Sequence, residues 1–144
     1  MYLLDVNFLI ALFDPAHVFH DPAHTWFAAH RGEGWAACPI TVNGCIRILS
    51  SPSYPSARVP MGRAVEMVRT LTQTGDYRFW ADGPSLADPN AFRERHIQGH
   101  KQLTDVYLLG VAVRHGGKLV SFDRSIPWKA VIGAGQHDIV IPAT

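Results

Sequence analysis

The segment from Leu103 to Asp123, LTDVYLLGVAVRHGGKLVSFD, constrains the fold of this chain more than any other. Leu103 to His115 is apolar on nearly every side of a helical period, and a helix without a polar face is stable only when it is buried all round. Gly116-Gly117 ends it as a C-terminal cap does. Lys118 to Phe122 then reads as a strand that closes at Asp123. A buried helix returning straight into a strand is half of a layered α/β unit, because the helix must cover the sheet that its strand joins.

The same alternation runs through the rest of the chain. Met1 to Leu4 is a short apolar strand closed by Asp5, and a helical pattern through Phe8, Leu9, Ala11 and Leu12 stops at Asp14-Pro15. His20 to His30 carries Trp26, Phe27 and Ala29 at helical spacing, with Asp21-Pro22 as N-cap and first-turn pair and Gly32 beyond its end. Gly34 to Cys38 is a strand, and Thr41 is the expected N-cap of a helix that runs to the Ser50-Ser51-Pro52 break. Ser51 to Pro60, rich in proline and serine, predicts a surface loop. Met61, Ala64, Val65, Val68 and Leu71 then trace one face of an amphipathic helix. Tyr77 to Trp80 and Asp138 to Ile141 complete the strands, and Asp88 to His96 is expected as a short polar helix. The pattern predicts one domain over residues 1–144, a three-layer α/β/α fold around a central, mostly parallel sheet.

Composition narrows the function. A chain of 144 residues with 47% hydrophobic and 17% charged residues is neither disordered nor short of core. Thirteen Lys and Arg against twelve Asp and Glu leave a net charge of +1, so any nucleic-acid site must be a local patch and not a general adhesion to phosphates. The opening MYLLDVNFLIALF lacks a basic start and carries Asp5 and Asn7 inside its apolar run, unlike a signal sequence. No run approaches the roughly 20 apolar residues that cross a bilayer. Cys38 and Cys45 lack the CxxC spacing of zinc or redox sites and read as reduced, buried thiols. A soluble, cytoplasmic protein without membrane contact is the expectation.

The chemistry lies in the carboxylates. Parallel sheets bind ligands beyond the carboxyl ends of their strands, and Asp5 and Asp123 each stand where a strand ends. Asp105 opens the buried helix whose return brings its N-terminus to that same edge. Each alone could be a cap or a turn residue. Three like charges in a partly desolvated pocket are costly unless a cation neutralises them. All-oxygen ligation suits Mg²⁺, with Mn²⁺ as substitute, and a carboxylate-held Mg²⁺ suits phosphodiester hydrolysis. His17, His20 and His24 have ligand-like spacing but no acidic or cysteine partner nearby in sequence, and read as surface histidines. The four tryptophans read as core or partner surface, since none sits in an interleaved basic-aromatic motif. Arg47, Arg93, Arg95, Lys101 and Arg124 are the candidate RNA contacts. Walker A, GxSxG and dinucleotide-binding glycine motifs are absent from the sequence. An aspartyl-phosphate mechanism is disfavoured because Asp5-Val6-Asn7 lacks a second aspartate two residues on.

LLDVNFLIAL at Leu3–Leu12, CPITVNGCIRILSSPSY at Cys38–Tyr54 and LTDVYLLGVAVRHGGKLVSFDRSI at Leu103–Ile126 resemble the PIN-domain ribonucleases and, among them, the VapC-like toxins of toxin–antitoxin pairs. The resemblance implies an α/β/α fold, a homodimer, Mg²⁺-dependent endonucleolytic cleavage of RNA, often tRNA or ribosomal RNA, and inhibition by a cognate antitoxin. Asp5, Asp105 and Asp123 match the family's acidic positions. Asn7, Thr41, Asn43, Thr104 and Ser121 are the expected neighbours of those carboxylates.

The chain departs from the family at one point. Such proteins carry a glutamate directly after the threonine of the second strand-to-helix segment, and here Thr41 is followed by Val42. The expected fourth carboxylate is replaced by an apolar side chain at the active edge, which predicts a weakened or single-metal site. An inactivating change, one base from a glutamate codon, and a naturally divergent member are the two accounts, separated by sequencing the genomic copy. A degenerate module that binds RNA or antitoxin without cutting is the rival reading from another class.

Overall fold

The computed structural model describes residues 1–56 and 58–144; Ala57, inside the expected Ser51–Pro60 loop, lies outside the described residues. The chain order is β1 (Tyr2–Leu4), α1 (Val6–Phe13), α2 (His20–His30), β2 (Trp35–Ala37), α3 (Pro39–Leu49), α4 (Met61–Leu71), β3 (Tyr77–Phe79), α5 (Leu103–Arg114), β4 (Lys118–Val120) and β5 (Ile139–Val140). The five strands form one sheet in the order β3-β2-β1-β4-β5, and every pairing is parallel. The α/β/α architecture expected from the alternation is therefore present.

Strand alternation divides the core in two. Leu4, Trp35, Ala37 and Val120 face a cluster containing Phe8 of α1, Trp26 and Phe27 of α2, Cys45 and Leu49 of α3 and Ala64 of α4. Leu3, Ala36 and Leu119 face the opposite way, onto Val106, Leu108, Leu109 and Val111 of α5. Four helices thus cover one face. The other face has α5 alone, completed by irregular chain that contributes Phe92, Ile126 and Val131. Burying α5 between sheet and loops explains why it needs no polar face.

Several boundaries differ from expectation for local physical reasons. Helix α2 begins at His20 with Phe19 as N-cap, so Asp21 and Pro22 both lie in its first turn, where proline's missing N–H costs nothing. Helix α3 begins two residues before Thr41. Cys38 is its N-cap, Pro39 sets the first helical φ, and the Thr41 hydroxyl accepts from the Cys38 N–H at 2.9 Å. Residues Asp88–His96 do not form an α-helix, and only Glu94–His96 makes a 3-10 turn. Phe92 is drawn into the core, bridges to Val131, and places its ring where a Cβ on Gly110 would lie 2.5 Å away. Tertiary burial of that ring outweighs the local preference for helix.

His20 Nδ1 and His24 Nε2 lie 2.7 and 2.8 Å from the carbonyls of Ala11 and Leu12, satisfying the C-terminal end of α1. These histidines tie α2 to α1. Cys38 and Cys45 are both buried and free, and burial pushes the Cys45 thiol up to about 12. Among the described residues, no helix is long and apolar enough to cross a membrane.

Candidate active site

The strand order reverses direction at β1, which is flanked by β2 and β4. Such a switch point leaves a crevice at the carboxyl ends of the strands. Asp5 follows β1 directly, and its backbone N–H continues the ladder to the Val120 carbonyl of β4 at 3.0 Å. Ser121, the next residue of that segment, is fully buried and donates its hydroxyl to Asp5 Oδ2 at 2.6 Å. The same hydroxyl oxygen accepts the Asp123 N–H at 3.0 Å. One serine therefore fixes two of the three carboxylate-bearing segments against each other.

Asp105 enters from the first turn of α5. Asp5, Asp105 and Asp123 together line an open cavity of about 710 Å³, with Asn7, Asn43 and Thr104 also on its wall. Arg47 and Lys101 line it as well, and both are exposed. The resulting pocket is acidic at its floor and basic at its rim.

The electrostatics separate the three acids. Burial raises the Asp5 pKa, opposed by its hydrogen bonds from Ser121 and the Val6 N–H. Asp105 is pushed up to about 7, first by desolvation and then by the charges of Asp5 and Asp123, with which it is in hydrogen-bonding reach of the latter. For Asp123, burial also raises the pKa, but the hydroxyl and N–H of Ser125 outweigh it and hold the carboxyl below its usual range. Asp105 and Asp5 are held toward the protonated form by burial and by neighbouring charge, while Asp123, which also gains a hydrogen bond from Asp105, stays ionised. Ser125 was not expected from sequence; its signal is the Asp123-Arg124-Ser125 turn, in which a hydroxyl two residues on returns to the carboxylate.

Other candidates fall differently. Thr41 is buried and closes the start of α3, away from the cavity. Val42 stands at the expected edge of the sheet, but it is half-buried, packs against the α1-side core and does not line the cavity. With α3 starting at Pro39, the pocket face of that helix is formed by Ile40, Asn43, Gly44 and Arg47. A Cβ on Gly44 would meet Val6 at 2.9 Å, so glycine there permits the close approach of α3 to α1. Arg93 is held on the Lys129 carbonyl at 3.1 Å, and neither it nor Arg95 lines the cavity. Arg124 lines a neighbouring cavity on the other side of Asp123.

The donor atoms, all carboxylate oxygens around one cavity, are of the kind that a hard, hydrated cation takes. Three carboxylates share one opening, and among the described residues none of them is ion-paired with a Lys or Arg; Mg²⁺ typically takes one or two carboxylates directly while keeping waters. Among the described residues, no group of three or more His, Cys, Asp or Glu side chains is gathered closely enough, as placed, to hold a metal ion. An open cluster of this kind suits a cation that remains largely hydrated.

The sequence pattern of the PIN domain matches residues 2–131. The chain belongs to the PIN-domain family. Its relatives include Ribonuclease VapC44 of Mycobacterium tuberculosis, 42% identical over 137 residues that span 95% of this chain and 96% of that protein. Ribonuclease VapC39 of the same organism is 37% identical over 91% of this chain and 94% of its own length. This PIN-domain chain is thus a member of the VapC ribonuclease group. Among solved structures, the Mycobacterium tuberculosis toxin VapC20, described as cleaving the sarcin-ricin loop, superposes with a TM-score of 0.65 over 93% of this chain and 98% of its own. At 13% identity that likeness concerns the fold.

Proposed function

We propose that this chain is the toxin of a toxin–antitoxin pair, a Mg²⁺-dependent endoribonuclease whose activity is weakened by Val42. The observation that carries the reading is the convergence of Asp5, Asp105 and Asp123 on one cavity at the switch point, with Arg47 and Lys101 at its rim. Mn²⁺ is a substitute for Mg²⁺ in such an oxygen site.

Asp5, Asp105 and Asp123 are the residues that would hold the cation. A cation held there would supply an activated water for attack on phosphorus and offset charge on the leaving oxygen. Ser121 orients Asp5 and the Asp123 segment, and Ser125 keeps Asp123 ionised. Asp105 exchanges a proton near neutral pH, so its state follows the charge around it. Arg47 and Lys101 draw the RNA backbone across the acidic floor, which repels a phosphate by itself. Thr104, Asn7 and Asn43 offer neutral hydrogen-bonding groups along the same wall. Val42, half-buried against the α1-side core, adds no charge to it.

The antitoxin is expected to place a basic side chain in this acidic cavity, and a homodimer would join two basic rims into one groove. A cytoplasmic location and a tRNA or ribosomal RNA substrate accord with this role. The rival reading, a non-catalytic module, draws support from the place of Val42 in the core. Incubation of total RNA with this chain and with a Val42→Glu variant, in Mg²⁺, in Mn²⁺ and in chelator, separates the two. Discrete metal-dependent cuts, stronger in the variant, are expected; intact RNA in every lane, with RNA still bound, overturns the nuclease reading.

A further inference from the structure

A second cavity, of about 310 Å³, lies on the far side of Asp123 from the acidic one, and the two share Asp123 as a common wall. We propose that this second cavity receives one nucleobase of a single-stranded RNA, stacked on Trp128, and so sets sequence preference next to the scissile phosphate. This rests on the reading of the acidic cavity as the cleavage site.

Trp26, Trp35 and Trp80 are buried in the core, whereas Trp128 is half-buried and stands at the surface of the α5 side. It lines both this cavity and a smaller hollow, of about 200 Å³, that continues past His96 and Gln98. Lys129 Nζ sits 5.7 Å from the Trp128 ring centroid and lines the smaller hollow. The ring thus borders two openings, with the Lys129 cation over it on the side of the smaller hollow and the larger cavity left for a base. An aromatic surface flanked by positive charge is what a base attached to a phosphate chain needs: a π-face for the ring and a cation for the backbone.

The rest of the lining agrees. Ile126, Ile139 and Ile141 give apolar walls that suit the flat body of a base, and exposed Gln136 brings an amide that both donates and accepts toward a base edge. Arg124, directly after Asp123, lines the cavity and is exposed, in position for the phosphate that joins the stacked nucleotide to the one being cut. A volume of about 310 Å³ is at the small end of ligand pockets, which run roughly 300–1,000 Å³, and so fits a single base better than a larger ligand. Duplex RNA keeps its bases paired inward; only a splayed, unpaired base can enter a pocket of this kind. Substrate is thus restricted to a loop, bulge or end.

The test uses fluorescein-labelled single-stranded rA, rU and rC octamers in chelator, with anisotropy as the readout, so that catalysis plays no part. The full chain is expected to prefer one of the three. Trp128→Ala should weaken that octamer by roughly tenfold and flatten the preference, within the range that stacking supplies. Trp128→Phe, which keeps an aromatic face, should recover most of the affinity, and this guards against simple misfolding of the alanine variant. Gln136→Ala should change the preference with at most about a threefold loss of affinity. If Trp128→Ala and Gln136→Ala bind all octamers as the parent does while total RNA is cut at the same sites, the base pocket is overturned and the nuclease reading stands. Absence of octamer binding by the parent overturns the pocket too. If Trp128→Ala weakens only the binding of a protein partner and not of RNA, the cavity belongs to that partner and the proposal fails. Loss of base preference in Trp128→Ala without any RNA cleavage by parent or Val42→Glu supports the pocket while removing the nuclease reading.

Discussion

The two walls of the acidic cavity differ in kind. The wall made by the ends of β1 and β4 and the start of α5 carries Asp5, Asp123 and Asp105, the first two tied together through Ser121. The facing wall, made by α1 and α3, carries Asn7, Asn43 and Arg47 and no carboxylate. Val42, the position from which a fourth acid is expected, is half-buried against the α1-side core and does not line the cavity. The comparison teaches that strand ends held by the backbone ladder fix two of the carboxylates, whereas a helix contributes only what its rotation presents, Asp105 from α5 but no acid from α1 or α3. A cation would therefore lie against one wall, and a phosphate would be drawn toward Arg47 and Lys101 on the rim.

The largest expected effect comes from removing charge on the carboxylate wall. Asp5→Asn should cut Mg²⁺-dependent RNA cleavage by about 100-fold or more, because a lost ligand is felt in affinity and in rate. Retention of near-parental cleavage would break the distinction between the walls. Placing a longer, charged side chain next to the helix wall, at half-buried position 42, should do the reverse. Val42→Glu is expected to raise cleavage about 10- to 100-fold, and to lower the metal-free melting temperature by an amount that Mg²⁺ restores. A glutamate that changes neither would leave position 42 a purely structural site.

Ser121→Ala sharpens the comparison by loosening the carboxylate wall without altering its charge. Roughly a tenfold loss of cleavage is expected, together with about 1–3 kcal/mol of stability, since Asp5 loses a buried donor. Chemical denaturation and cleavage rates measured together check both. A smaller effect concerns pH. Asp105 has a folded pKa raised to about 7, above its unfolded value of 3.8, so between those values the folded chain holds a proton that the unfolded chain releases. Stability of the metal-free protein should therefore fall as pH rises from about 4 to 7 and level off above, and this slope should be reduced in Asp105→Asn. Thermal melts across that range in chelator would read it.

Much of this was legible in the sequence, for reasons that particular residues make plain. The run Val106–Val113 is apolar all round, so it could only be a buried helix, and the glycine pair after it fixed the return to β4. The meeting of Asp5 and Asp123 at one cavity was legible because strand ends in a parallel sheet converge. The place of Val42 was not, since it depends on the exact start of α3. Pro39 and the Cys38–Thr41 box start that helix earlier than Thr41 alone implies, and the pocket face falls on Asn43 and Arg47. Nor was the chain between β3 and α5 legible, because Phe92 is ordered by the space over Gly110, a contact with no local signature. The hollow at Trp128 depends on the same irregular chain. What periodicity encodes was readable, and what long-range packing of loops decides was not.

Melting of the full chain and of Asp105→Asn at pH 7.5, with and without Mg²⁺, tests the central claim most directly. If the three carboxylates form one cation site, Mg²⁺ should raise the parental melting temperature in a saturable way and raise that of Asp105→Asn far less, while the variant melts higher than the parent in chelator. Equal responses to Mg²⁺ in both proteins, or none in the parent, would contradict it.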